Sequence, residues 1–214
     1  MTTEPLFFPE DALAHLRTAD DRLAALIDRA GAYDPPRRSD PYAALVRAIL
    51  FQQLAGAAAM AIQKRLFALH EPDDVPPAPQ QVLDNTDEQF RGAGISRQKT
   101  GYLRDLALHV ADGRLDLGSL PALPDDEVIQ RVTAIKGLGE WSAHMFLMFH
   151  LGRPDVLPIG DLGVRNGMRL TYGLDAMPTP KEALAIGEPW APYRSVGSWY
   201  MWRAAETFDL TQSL

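Results

Sequence analysis

Apolar positions along this chain recur mostly at helical spacing, and no stretch sustains the alternation of a half-buried strand. Residues 10–29 make an amphipathic pattern rich in Ala and Leu, closed by Pro35-Pro36. Residues 42–54 and 57–69 predict a helical pair broken near Gly56. A loop over 72–79 contains Pro76-Pro77-Ala78-Pro79, and short helices are predicted over 80–85 and 87–92. Ser96 stands where a cap should, ahead of a long helix running to Ala111. Segments 181–187 and 196–209 complete the set. No internal repeat interrupts the series. The predicted fold class is all-α.

The densest information lies between Val132 and Arg169. Pro124 and the acidic run Asp125-Asp126-Glu127 suit a helix start, and Val128, Val132 and Ile135 continue it at helical spacing. Gly137 and Gly139 then interrupt the pattern. A second helix opens near Glu140, with Trp141, Met145, Phe146, Met148 and Phe149 as its apolar positions. Such a turn allows close approach of something bulky, and the second helix begins with N–H groups that favour an anion such as a DNA phosphate. An ordinary helical corner with a glycine cap fits the same residues.

Further on, Pro158-Ile159-Gly160-Asp161 breaks the chain before Leu162, Val164, Met168 and Leu170 resume an apolar pattern. Asp161 therefore falls at a helix N-terminus, where it suits an N-cap. A carboxylate held there by the helix dipole also suits stabilising positive charge on a deoxyribose, or orienting a water. The two roles are compatible.

Composition narrows the class. The 214 residues suffice for one good core or two small lobes, and 46% of them are hydrophobic. There are no cysteines, which excludes disulfides and Cys-ligated zinc or iron–sulfur clusters. No signal peptide or membrane span is visible, and a cytoplasmic, nucleoid-associated location is expected. Acids outnumber Lys and Arg by 28 to 21, giving a net charge of −7, unusual for a protein that grips DNA non-specifically. Arg97, Lys99 and Arg104 cluster in sequence, as do Arg165, Arg169, Arg194 and Arg203. A basic face on an acidic body, with steep salt dependence, is the expectation. The five histidines lack paired carboxylates at ligand spacing, so no divalent metal site is suggested. His70 and His109 are expected on helix surfaces.

Lys136-Gly137-Leu138-Gly139-Glu140-Trp141-Ser142-Ala143, followed by Gly160-Asp161, resembles the helix–hairpin–helix, Gly/Pro-rich loop and Asp signature of the HhH-GPD DNA glycosylases. Residues 42–53, the segment Gly152-Arg153-Pro154-Asp155, and residues 190–195 with 199–203 are similar to the AlkA-type 3-methyladenine DNA glycosylase II branch. The match runs from about Asp40 to the C-terminus, five motifs in the family's order. About forty residues precede it, in place of the bacterial branch's N-terminal β-rich domain. The expected form is a short one, similar to fungal alkylbase glycosylases.

The resemblance implies two helical lobes with a central cleft. One lobe would take roughly 1–56 plus 152–214, and the other roughly 57–151, carrying the hairpin over 125–150. It implies Asp161 as the catalytic residue, with Trp141, Met145 and Trp202 in the substrate pocket. Met145 stands where the bacterial enzyme presents an aromatic. On the residues alone, Trp141 and Trp202 also fit plain packing, since Trp199, Tyr200 and Trp202 crowd one helix. Gln53 falls at the position of the side chain that wedges into the duplex, while Gln52 is expected to hydrogen-bond across helix ends. Gly137, Leu138 and Gly139 would meet a DNA phosphate. The backbone carbonyls of Thr133, Ile135 and Leu138 would hold Na+ or K+ when DNA is bound, and no other cofactor is expected.

Bifunctional members place a nucleophilic lysine in the hairpin's second helix, where this chain has Trp141; Lys136 lies on the wrong side of the turn. The implied function is a monofunctional glycosylase that flips alkylated bases, of the 3-methyladenine or 7-methylguanine type, out of duplex DNA and hydrolyses their glycosidic bond. The implied partner is double-stranded DNA containing damaged bases, met by a monomer away from any membrane. Three alternatives stand beside this: a glycosylase for deaminated purines, a non-catalytic helix–hairpin–helix DNA-binding module, and a helical scaffold.

Overall fold

The structure, a computed structural model, describes residues 9–35, 40–54 and 56–211. Twelve α-helices and no strand occur among them. In chain order they are α1 Pro9–Ala19, α2 Asp21–Ala30, α3 Pro41–Phe51, α4 Gly56–Phe67, α5 Pro79–Asp84 and α6 Asp87–Gly92. There follow α7 Arg97–Ala111, α8 Asp125–Thr133, α9 Glu140–Phe149, α10 Leu162–Tyr172, α11 Pro180–Gly187 and α12 Arg194–Thr211. The all-α expectation holds.

The chain divides into two compact units, one made of Met1–Arg37 and Leu147–Leu214, the other of Arg38–Phe146. This differs from the expected division in placing α3 with the middle of the chain. The reason is packing: α3 lies against α4 and α7. Its apolar face supplies Leu45, Val46, Ile49 and Leu50, all fully or almost fully buried. The second boundary falls within α9, between Phe146 and Leu147.

In the unit formed by the two ends, α1, α2, α10 and α12 share a core that includes Leu16, Leu23, Ile27, Met168, Trp190 and Tyr200. Helix α10 packs tightly on α12 because residue 167 is glycine; any Cβ there would collide with the Met201 backbone. The amphipathic pattern over 10–29 is two helices, not one. Asp20 breaks it: its backbone is extended at φ −154°, and its Oδ1 accepts the N–H groups of Arg22 and Leu23 at 3.0 and 2.9 Å. Its Oδ2 accepts from the Tyr172 hydroxyl and from Trp190 Nε1. Pro36, the second half of the predicted break after this region, lies outside the described residues.

In the middle unit, Ser96 caps α7 as predicted, its hydroxyl oxygen accepting from the Lys99 N–H at 3.3 Å. Thr86 and Gln89 form a reciprocal cap on α6. His109 departs from expectation. It is buried rather than on a helix surface, with Nδ1 2.8 Å from Asp105 O and Nε2 3.1 Å from Arg114 Nη1. His70, half-buried, meets Asn85 Oδ1 at 2.9 Å.

Candidate active site

The hairpin joins α8 to α9 through residues 134–139. Ile135 N–H donates to Val132 O and Leu138 N–H to Ile135 O, which tightens the turn, and the Ile135 and Leu138 side chains are buried beneath it. The two glycines are not equivalent. Gly137 has φ +82°, and a Cβ on it would overlap the Tyr102 ring. Gly139 is exposed, with nothing within 4 Å of where a Cβ would stand. Folding therefore requires glycine at 137. At 139 the outward surface is simply left clear.

Two side chains from elsewhere hold the turn, one from the residue that ends α3 and one from α7. Gln52 Nε2 donates to Gly137 O at 2.6 Å, and the Lys136 N–H donates to Asp105 Oδ2 at 2.8 Å. Gln52 thus bonds across to another element, as its sequence position suggested. Gln53, next along, is exposed and carries a left-handed backbone, φ +56°. Lys99 turns inward and donates to Leu50 O and Gln52 O at 2.6 and 2.8 Å. Burial holds its ammonium below the usual lysine value.

On α9, Trp141 lies in the first turn with half its surface exposed, far more than core packing would leave it. Met145, one turn later and half-buried, lies along the same side of the helix. His144 is mostly buried, and that burial lowers its pKa against the opposing pull of Glu140 and Asp125.

In the other unit, Asp161 is the N-cap of α10. Its backbone is extended (φ −74°, ψ 124°), and Oδ1 accepts the Val164 N–H at 2.7 Å. The same oxygen accepts from Trp202 Nε1 at 2.8 Å. Trp202, on α12, packs its ring against Phe149 with centroids 5.6 Å apart. Asp161 and Trp202 are thus brought together by a direct hydrogen bond that the sequence did not announce. The indole is fixed by its own N–H as much as by packing.

The approach to Asp161 is anchored by two motifs that looked separate in the sequence. Asp155 makes a two-pronged ion pair with Arg194, at 2.7 Å from each carboxylate oxygen. Burial pushes the Asp155 carboxyl up, but the Arg194 bonds outweigh it and hold it below the usual aspartate value. Ser195 Oγ donates to Arg153 O at 2.7 Å and accepts from Val156 N–H at 2.9 Å. Gly152-Arg153-Pro154-Asp155 and Arg194-Ser195 are therefore one device, pinning the loop that delivers Asp161.

The expected basic clusters are largely consumed inside the protein. Arg104 bonds Asp87 and Asn85 O, and Lys99 is turned inward as described. Arg165 donates to Pro178 O and Arg169 to Asn166. Arg194 pairs with Asp155 and Arg203 with Glu206. Among the described residues no group of three or more His, Asp or Glu is placed to hold a metal ion, and no helix is long and apolar enough to cross a membrane.

A Gly-Leu-Gly hairpin and a helix-capping aspartate, on a fold built of helices, define a protein of the helix–hairpin–helix class. The chain belongs to the HhH-GPD superfamily of base excision DNA repair proteins, whose family pattern matches residues 46–192. It is 34% identical over 202 residues to DNA-3-methyladenine glycosylase 1 of Schizosaccharomyces pombe, covering 92% of this chain and 88% of that one. The solved structure of the S. pombe 3-methyladenine DNA glycosylase in complex with abasic DNA superposes with a TM-score of 0.82, over 90% of this chain and 95% of that one. A DNA-3-methyladenine glycosidase from Bacillus halodurans superposes equally well, at 0.82, with 37% identity over 98% of this chain and 95% of its own.

Proposed function

We propose that this protein is a monofunctional DNA glycosylase that removes alkylated bases, of the 3-methyladenine or 7-methylguanine type, from duplex DNA. The observation that carries the reading is the Asp161 carboxylate, capping α10 and held by the Trp202 N–H, in a chain of this superfamily. The names and DNA complex of its relatives support the substrate class.

The chemistry follows from the substrate. N-alkylation leaves the purine with a positive charge, so its glycosidic bond is already weak. When C1′–N breaks, the bond's electron pair goes to the base and neutralises it, and positive charge grows on the sugar. A carboxylate stabilises that charge and orients the water that adds to C1′, whose proton is released. The product is an abasic site with an intact strand.

The flipped, cationic base favours an electron-rich wall, worth about 0.5–2 kcal/mol depending on desolvation. Trp141 offers one, exposed at the start of α9, with Met145 beside it. Gln53 would fill the vacated space in the duplex. The clear surface at Gly139, with Gly137 and Leu138, would meet a phosphate at the start of α9. Carbonyl oxygens at a reversing turn are the hard donors Na+ or K+ takes, so those of Thr133, Ile135 and Leu138 would hold such an ion against the DNA backbone. No lysine stands on α9 to form a Schiff base, which fits hydrolysis without strand cleavage. The chain would act as a monomer in the cytoplasm, on the nucleoid.

The test is base release from methylated duplex DNA by wild type and Asp161→Asn, with products run before and after alkali. Wild type is expected to release base, with strand breaks only after alkali. Asp161→Asn should lose at least about a hundredfold in rate while still binding DNA. Near-normal release by the variant would remove Asp161 from the mechanism. Binding without release by either protein would favour a non-catalytic module or a different lesion.

A further inference from the structure

Gln53 is the one non-glycine residue among those described with a left-handed backbone. A side chain is strained in that conformation and keeps it only where its surroundings impose it. Here the surroundings are specific. Helix α3 ends at Phe51, and its last carbonyls have no partners within the helix. The Lys99 ammonium gathers Leu50 O and Gln52 O on either side of that end. The Gln52 side chain reaches the other way, to Gly137 O in the hairpin turn. Helix α7 grips the same turn twice more, with the Tyr102 ring against Gly137 and Asp105 accepting from the Lys136 N–H. Lys99, Tyr102 and Asp105 follow one another at three-residue intervals, along one strip of α7.

We propose that Lys99 is a positioning residue for base extrusion: with Tyr102 and Asp105 it makes α7 a fixed spacer between the loop that presents Gln53 and the turn that takes the DNA backbone. This rests on Gln53 being the inserted side chain. Insertion at one point while gripping a phosphate at another works only if the two are held at a set separation. A displacement of about 1 Å can cost on the order of a hundredfold in rate. A lysine that instead contacted phosphate directly would act on affinity for all DNA, and through the salt slope.

The experiment uses the full chain and a duplex in which a 2′-fluoro-7-methylguanosine, slow to hydrolyse, adjoins 2-aminopurine. Stacking quenches 2-aminopurine, and extrusion of its neighbour relieves the quenching. Lys99→Met should bind undamaged duplex within about twofold of wild type, with the same salt slope. At saturation it should give less than about half the wild-type fluorescence rise, and it should release ordinary 7-methylguanine about tenfold more slowly. Release should recover when the lesion lies opposite an abasic analogue, where no base pair resists extrusion, an outcome that mere misfolding would not produce. Gln52→Leu, which cuts the tie to Gly137, carries the same expectations should Lys99→Met fail to fold. Gln53→Ala separates the two layers. If it loses the fluorescence rise and Lys99→Met keeps it, the Lys99 proposal fails alone. If Gln53→Ala keeps the full rise, or wild type gives none, the wedge assignment fails and the proposal with it. A uniform loss of affinity in Lys99→Met would make it a phosphate contact and overturn the inference.

Discussion

Gly137→Ala adds one methyl group at a backbone angle of φ +82°, directed into the Tyr102 ring. Two costs combine. A left-handed conformation costs an L-residue about 1–2 kcal/mol. Forcing a methyl into filled space costs about 1–3 kcal/mol more. The overlap falls on Cγ, Cδ2 and Cε2 of the Tyr102 ring, near its point of attachment rather than at a free tip. The sum is about 2–5 kcal/mol. For a domain of this size each kcal/mol lowers the melting temperature by roughly 2–4 °C, so the drop should be about 4–20 °C. Gly139→Ala provides the contrast, because its Cβ would point into open space at an ordinary backbone angle; its effect should stay within about 0.5 kcal/mol. Thermal unfolding followed by far-UV circular dichroism reads both variants. Adding Tyr102→Ala to Gly137→Ala should recover the overlap but not the backbone cost. A Gly137→Ala protein melting within about 2 °C of wild type would refute the reasoning, since neither cost could then be present. So would equal losses at both glycines. DNA binding should show the reverse order among variants that still fold: Gly139→Val melts normally and binds every duplex more weakly.

Trp202→Phe removes the N–H that reaches Asp161 while keeping a ring against Phe149. Losing a hydrogen bond to a charged acceptor should lower kcat about tenfold with KM unchanged; an unaltered kcat would count against the positioning role. His144, whose pKa burial depresses, binds its proton more readily unfolded than folded. Stability should therefore be full above about pH 6.5, fall as pH drops below that value, and level off once the folded pKa is passed. Urea midpoints of wild type and His144→Gln should converge on acidification. Parallel midpoints would reject the assignment. Because most arginines expected at the DNA face are bonded internally, the plot of log K against log salt should be shallow, with a slope no steeper than about −4. A slope beyond about −6 would mean those internal bonds give way to phosphates on binding.

What the sequence made legible follows a physical line. Helices with local start signals were readable, and Ser96, Thr86 and Asp161 cap the helices they precede. Asp161 could be picked out because Pro158 and Gly160 just before it leave the chain few conformations. The break at Asp20 was missed because apolar spacing continues across it, and the Tyr172 and Trp190 groups that reward the break lie far along the chain. Lys99 and five of the six arginines (Arg104, Arg165, Arg169, Arg194 and Arg203) illustrate the same limit. A charged residue near others in sequence looks solvated, yet Lys99 ends on carbonyls 47 and 49 positions away. Which helices α3 covers was not legible for a related reason, since its partners α4 and α7 are chosen by packing and α7 is not its neighbour in sequence. Trp202 stood out as a candidate by type and place, while its N–H bond to a carboxylate 41 positions earlier had no local signal.

That bond has an optical consequence. An indole emits at a wavelength set by the field around it, and the pyrrole nitrogen of Trp202 touches one of the oxygens that carries the Asp161 charge. Protonating or amidating that carboxylate changes the field, so the colour of Trp202 emission reports whether Asp161 is charged. Trp141, half exposed and at the other proposed contact with the base, responds instead to what covers it. With Trp190 and Trp199 replaced by phenylalanine, the protein becomes its own two-channel fluorimeter: one tryptophan registers the arrival of a ligand, the other the electrical state of the group that would act on it.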